Sequence, residues 1–270
     1  MTQRFGSRHT IEKLRALTYH AEAYAAIMNN QSYFKCTYID AFAGDGQGMT
    51  NEGIRYNGSV KLALKFRPSF DRFHFIEGNK RNVSRLNTIK AEYLGHEISI
   101  HHGDANIELL KILQEIDWRH ERALIFADPF GLQLNWTTVE SMMENTKVDA
   151  LLWFPLEGVR RQLADNPERQ RPEHKKSLDR IFGNSDWEKF YQKTEDLFGD
   201  PNKLLSPHIV NEVLKLYQSR LLSISSYCSE PITMVDRFSL FLCLSNKSEN
   251  AKRLASKLVT ETRKQLTKLS

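Results

Sequence analysis

Long apolar runs are missing from this chain of 270 residues. No stretch approaches the eighteen or so consecutive apolar residues that a membrane helix needs, and the residues behind Met1 are polar and basic. Neither a membrane span nor a signal peptide is expected. Cysteine is scarce as well. Cys36, Cys228 and Cys243 lie far apart, each in an apolar setting. That spacing suits neither a zinc site nor a disulfide framework, and it fits the reducing cytoplasm. An excess of one charge is also missing over most of the chain. The net +5 comes from residues 251–270, where Lys252, Arg253, Lys257, Arg263, Lys264 and Lys268 face Glu261 alone; the preceding 250 residues carry 32 charges of each sign. A uniformly basic nucleic-acid binder is excluded, and any electrostatic case for such a partner is confined to the tail. Repeats and low-complexity segments are absent.

What is present suffices for one large α/β domain: 40% hydrophobic and 26% charged residues. Its organising stretch is Tyr38-Ile39-Asp40-Ala41-Phe42-Ala43-Gly44-Asp45-Gly46-Gln47-Gly48, a buried strand that breaks into three glycines. A strand ending in glycines lets the backbone approach a ligand, because no Cβ intervenes. Three further apolar runs end in Glu77, Asp104 and Asp128. Acids at the carboxyl ends of successive parallel strands stand where an open α/β sheet binds its ligands.

Residues 10–28 read as a helix capped by Thr10, with Ile11, Leu14, Thr18, Ala21, Ala25 and Met28 on one face. Strands are predicted over 35–43, 72–77, 98–102, 123–128 and 148–154, with 123–128 a nearly uninterrupted apolar run buried on both faces and 148–154 a fifth apolar strand. Residues 45–57 read as a polar loop. Helices follow, with Ser59 and Asn106 as N-caps and Thr137 with Glu140 as a capping box. From 157 to 220 the texture changes to a helical insertion, expected to cap the sheet's carboxyl edge. Within it a helix over 172–182 is bracketed by Pro172 and Gly183. Strands at 232–235 and 240–244 and a helix from Ser248 close the chain. The expected division is a core of 1–156 plus 221–270 and an insertion of 157–220. The alternation predicts a mostly parallel sheet with helices on both faces.

Five β-α units followed by a strand pair resemble the Rossmann-like fold of class I S-adenosylmethionine-dependent methyltransferases, whose sheet has seven strands, the seventh antiparallel. Asp40-Ala-Phe-Ala-Gly-Asp-Gly resembles that superfamily's first motif, whose glycine turn approaches the methionine part of the cofactor. The resemblance implies that Glu77 meets the ribose hydroxyls and Asp104, in His-Gly-Asp-Ala-Asn, the adenine. Asp128-Pro129-Phe130-Gly131 falls at the catalytic fourth motif. The implied cofactor contacts are Asp40, Phe42, Ala43, Gly44, Gly46, Glu77, Asp104, Ala105 and Asp128; the implied catalytic residues are Asp128, Pro129 and Phe130. No metal is implied. The order of these pieces over roughly residues 9–161 is similar to the three-Cys-motif partner (TcmP) family, regarded as methyltransferases encoded near a three-cysteine-motif protein. Asp-Pro-Phe-Gly is also similar to the motif of tRNA guanine-N2 dimethyltransferases, which points to an exocyclic amine of RNA or DNA as acceptor.

Other roles stand beside these. Asp128 can cap a turn, but its place after the most apolar strand favours a ligand role. Asp104 divides evenly between capping the next helix and a cofactor contact. Which of Gly44, Gly46 and Gly48 meets the cofactor is open, because an extended loop follows them. Two further functions are weighed: a non-catalytic subunit that keeps the cofactor fold, and an NAD-dependent oxidoreductase. The latter needs Gly-x-Gly-x-x-Gly running straight into a helix with an acid about twenty residues on, and the chain has neither. Trp153 and Phe154 read as core, and the basic residues between Arg160 and Arg180 as a solvated face.

Overall fold

The computed structural model describes residues 8–267 apart from 32, 50–52, 54, 196–200 and 235–236. Val235 and Lys268, used in the sequence reading, lie outside the described residues. The strands are β1 (Lys35–Asp40), β2 (Gln47–Met49), β3 (Arg55–Asn57), β4 (Arg72–Glu77), β5 (Glu97–His102), β6 (Glu121–Ala127), β7 (Val148–Phe154), β8 (Tyr191–Glu195), β9 (Pro201–Leu205), β10 (Tyr227–Cys228), β11 (Ile232–Met234) and β12 (Phe238–Leu244). The helices are α1 (Arg8–Asn29), α2 (Ser59–Ala63), α3 (Lys80–Glu92), α4 (Ala105–Glu115), α5 (Trp136–Met143), α6 (Leu156–Arg160), α7 (Pro172–Phe182), α8 (Ile209–Ile224) and α9 (Glu249–Thr267).

The central sheet runs β10-β12-β7-β6-β1-β4-β5, with β11 also pairing with β12. From β7 to β5 the pairing is parallel, while β12 runs antiparallel to β7 with Ser239 opposite Phe154 and Leu244 opposite Asp149. This is a Rossmann-like sheet, with one refinement to the predicted seven strands. The sheet has eight, because the edge position beside β12 is occupied by two short pieces. Pro231 lies between them and has no N–H to donate to a ladder. Ser229 closes the gap: its amide donates to the Leu242 carbonyl and its hydroxyl accepts from the Leu242 amide.

The apolar runs of β1, β6 and β7 are buried on both faces, and alternation sends their side chains into two cores. Tyr38 enters an aromatic cluster with Phe66, Phe70, Phe73 and Phe75. On the other face Phe154 stacks 4.2 Å from Tyr217 and meets Phe182 and Phe241. The segment 157–220 contributes Leu178, Phe182, Trp187 and Tyr217 to that second core, alongside α5. It thus shares a core with the face formed by β7 and β12, and α8 is the crossover that carries the chain from β7 to the far edge. The segment also contains the two-stranded ribbon β8-β9, which helical periodicity did not suggest.

Several helix starts differ from expectation. Thr10 lies inside α1, which begins at Arg8. Gly58, not Ser59, is the N-cap of α2, and Asp104, not Asn106, caps α4. Asn135 precedes α5 with no side-chain cap, so Thr137 and Glu140 form no capping box. Gly183 does end α7, at φ 75°; a Cβ there would lie 2.1 Å from the Trp136 ring, so both backbone and packing require glycine. Among the described residues no helix is long and apolar enough to cross a membrane.

Phe154→Ala should cost about 3–5 kcal/mol of folding stability, the range for an aromatic deletion in a rigid core. Urea denaturation followed by far-UV dichroism checks this, and an unchanged midpoint would show that the 157–220 segment is not anchored through that ring.

Candidate functional site

Beyond Asp40 the chain does not continue straight. The Ala41 amide donates to Phe126 O at 2.9 Å and the Ala43 amide to Ile76 O at 2.9 Å, which pins the turn to both neighbouring strands. Gly44 and Gly46 then adopt φ 64° and 74°, the left-handed region that favours glycine. The three glycines are not equivalent. A Cβ on Gly46 would lie 2.5 Å from Ile89 Cδ1, and one on Gly48 would lie 2.0 Å from the Tyr56 ring, so those two serve packing. Beside Gly44 a Cβ would meet nothing within 4 Å. Gly44 is the position where backbone borders open space.

That space is a cavity of about 340 Å³ at the carboxyl ends of β1 and β6. Phe42, Ala43, Gly44, Gly46 and Asp128 of the predicted site line it, joined by residues of α1, α3 and β3. Asp40 lies beneath it, fully buried. Glu77, Asp104 and Ala105 end or follow the neighbouring strands β4 and β5 and are not among its lining residues. Each acid there has a local partner. Glu77 Oε1 accepts from the Asn79 amide at 2.6 Å, and Asp104 Oδ1 accepts from the Asn106 amide at 2.8 Å. Pro129 is buried and Phe130 is 72% exposed just beyond Asp128.

The electrostatics of the site follow from burial. Desolvation pushes the Asp40 carboxyl up to about 7, opposed by hydrogen bonds from the Ser59 hydroxyl and the Phe42 amide, with Asp128 and Glu77 adding like charge. Its Oδ2 has no partner among the described residues. Ser59, expected to cap a helix, instead ties α2 to the end of β1. Tyr56, in β3, is shifted upward by burial against a hydrogen bond from Thr10.

Sequence reasoning missed Lys13. It is 7% exposed on α1, and its ammonium pairs with Asp128 Oδ1 while lying 4.1 Å from the Phe238 ring centre and 5.0 Å from that of Trp153. The signal was available. The buried stripe of α1 is Lys13, Ala16, Leu17, His20 and Ala21, and a lysine on such a stripe demands a partner. Of the expected face, Ala21, Ala25 and Met28 are buried, while Ile11, Leu14 and Thr18 are only half-buried. Among the described residues no His, Cys, Asp and Glu converge as metal ligands, and His74 and His101 stack on each other. Cys228 and Cys243, distant in sequence, face each other with sulfurs 3.7 Å apart as free thiols.

No protein-family model matches the sequence, and a search of curated proteins gives no match. Solved structures with a similar chain path include protein LPL1258 of Legionella pneumophila str. Philadelphia 1, family-model DUF519. It is 13% identical over 92% of this chain and 91% of that one, at a TM-score of 0.49. The CurJ carbon methyltransferase is 12% identical over 79% of this chain and 49% of its own, at 0.38. TehB from Haemophilus influenzae is 13% identical over 82% and 61%, at 0.32.

The raised pKa of Asp40 has a consequence for stability. Folding favours the protonated acid, so its contribution is fully present below the ordinary value of 3.8 and is lost as pH rises through about 7. Asp40→Asn keeps the acceptor for the Phe42 amide and removes the titration. The variant should match wild type near pH 4 and exceed it by on the order of 2–4 kcal/mol near pH 8. Urea titrations at the two pH values test this; a gap that does not widen with pH would mean that Asp40 is ionised throughout.

Proposed function

We propose that the chain is an S-adenosylmethionine-dependent methyltransferase whose acceptor is an exocyclic amine of a nucleic acid. The observation that carries this reading is the meeting of Gly44, at positive φ beside open space, with Asp128 in one cavity at the carboxyl edge of the sheet. The resemblance to three-Cys-motif partner proteins belongs to the same proposal. So do the carboxylates after β1, β4 and β5.

The residues present suit the cofactor. Gly44 leaves the backbone bare where the methionine part would lie, Arg81, with Arg85 in its ion pair to Asp45, brings positive charge for its carboxylate, and Glu77, at the end of β4 beyond the cavity's lining, offers acceptors to a ribose. When bound, S-adenosylmethionine supplies a methyl group activated by a sulfonium. The rest falls to the chain. Lys13 fixes Asp128 through Oδ1, leaving Oδ2 to accept an N–H of the acceptor. Pro129 has a fixed φ and no N–H, so its carbonyl is held as a second acceptor. Phe130 offers an exposed ring on which a base stacks. Two acceptors orient the amine lone pair, and Asp128 Oδ2 takes the proton the nitrogen gives up. This is catalysis by alignment.

One observation favours a second reading, a non-catalytic partner subunit. The Asp128 carboxylate is already paired, through Oδ1, with a buried ammonium of the same chain, so its charge is answered before any acceptor arrives.

Glu77→Ala should weaken S-adenosylhomocysteine binding by about 1–3 kcal/mol, the scale of losing charge-assisted hydrogen bonds. Calorimetry showing equal affinity would remove Glu77 from the site. Asp128→Asn should leave that affinity within a few-fold and lower single-turnover methyl transfer to RNA or DNA by roughly two orders of magnitude. Undiminished transfer would sink the catalytic assignment of Asp128. Wild-type protein that binds the cofactor and methylates no RNA, DNA or protein would establish the partner-subunit reading instead.

A further inference from the structure

At the opposite end of the strands lies a second cavity, of about 310 Å³, enclosed by α1, α9 and the strands β6, β7 and β12. Its walls are apolar, with Ile27, Leu124, Leu151, Leu242 and Leu258 prominent, and its rim carries the exposed polar residues Ser248 and Asn250. It is distinct from the first cavity: along α1 Leu14 borders one and His20 the other, six residues or about 9 Å apart at 1.5 Å per residue. The volume is at the lower end of the range of small-molecule sites.

Two polar groups inside it are not accounted for by the fold. The first is His20, 2% exposed, whose Nδ1 has no hydrogen-bond partner among the described residues. Its other nitrogen is 2.9 Å from Thr262 Oγ1, and that hydroxyl donates its proton to Leu258 O. With that proton on Leu258 O, Thr262 accepts from His20, an arrangement that puts the ring proton on Nε2 and leaves Nδ1 as a bare acceptor. Burial holds the ring neutral, with its pKa lowered to about 4. The second group is Asp149, which borders the same cavity; burial raises its carboxyl to about 7, opposed by the nearby Ser245 amide, which donates to Val148 O, and by the Arg122 charge. Two cations share the lining, Arg122 and Lys147, which lie 4.4 Å and 5.3 Å from the Phe34 ring centre, and the Arg122 charge favours ionised Asp149. An apolar chamber with a carboxylate and a bare imidazole nitrogen calls for an apolar molecule that brings donors.

The geometry points to a second ligand site in this cavity, for a small apolar amine whose ammonium is held by Asp149 and His20 Nδ1. It is independent of the cofactor reading and survives if that reading fails. The ammonium supplies the hydrogen bond that His20 Nδ1 lacks and a counter-charge for Asp149, and its hydrocarbon body packs on the apolar walls. An anion of equal size would offer His20 Nδ1 no proton and would face Asp149 as a like charge, although Arg122 and Lys147 also border the cavity.

The full chain, labelled at its leucine methyls, is titrated above neutral pH with phenethylamine and, separately, with 3-phenylpropionate. Phenethylamine should shift the Leu151, Leu242 and Leu258 methyl signals saturably, and 3-phenylpropionate should bind at least tenfold more weakly. Asp149→Asn should bring the two probes to within a few-fold of each other. Leu258→Phe, which fills the chamber from α9, should abolish the shifts without changing the fold seen in the remaining methyl signals. Absence of saturation into the millimolar range, equal binding of both probes to wild type, or shifts that persist in Leu258→Phe would each overturn the assignment.

Discussion

The burial of one carboxylate, that of Asp40, constrains everything at the ligand edge of this sheet. It ends the central strand, where no water reaches it. A charge in that position costs several kcal/mol unless hydrogen bonds answer it or a proton neutralises it. The fold does some of each. The Phe42 amide turns back onto Oδ1, which sets the chain into the bend leading to Gly44, and Ser59 is drawn to the same group from the start of α2. The shape of the glycine turn thus follows from solvating an acid, and the acid's proton affinity follows from how incompletely the turn solvates it.

The helix α1 ties the two ends of the sheet together. Its buried stripe sends Lys13 to Asp128 at the carboxyl edge and His20 to Thr262 of α9 near the amino ends of the strands. Neither contact is a generic core contact. A buried lysine needs both a counter-charge and a soft wall, and Asp128 with the Phe238 and Trp153 rings supplies them. Because β12 carries Leu240 and Leu242 into the same core as Ala16, Leu17 and Ala21, the antiparallel strand and the first helix depend on each other although they are more than two hundred residues apart.

The parts of the structure legible in the sequence were those written locally. The strands β1, β4, β6 and β7 are dense apolar runs, the Pro172 to Gly183 helix carries its own start and stop, and Asp128 follows the most apolar strand. What could not be read depends on partners distant in the chain. Lys13 shares a helix stripe with Ala16, Leu17 and Ala21, which marks it as buried, but nothing local says that its partner is Asp128. The cap residues failed for a related reason. Ser59 and Asn106 have the right chemistry for capping, but each found a stronger tertiary use, Ser59 on Asp40 and Asn106 bridging Asp104, Gln133, Asn135 and Thr138. Local preference for a cap is worth about 1 kcal/mol, less than several hydrogen bonds in a buried setting.

The extended loop after the glycines, the clearest departure from a direct strand-turn-helix unit, has a simple geometric resolution. Residues 47–57 leave the turn as β2 and return as β3, with Gln47 paired to Asn57. The Gly58 amide then donates to Gly46 O at 3.0 Å, and a Cβ on Gly58 would sit 2.9 Å from the Gly46 carbonyl carbon. The excursion therefore closes on itself, and α2 begins against the glycine turn as it would had the turn run straight into it. What the hairpin adds is a wall. Tyr56 packs on Gly48 and borders the cavity opposite Asp128, so the insertion leaves the strand-to-helix geometry intact and encloses the space beside Gly44.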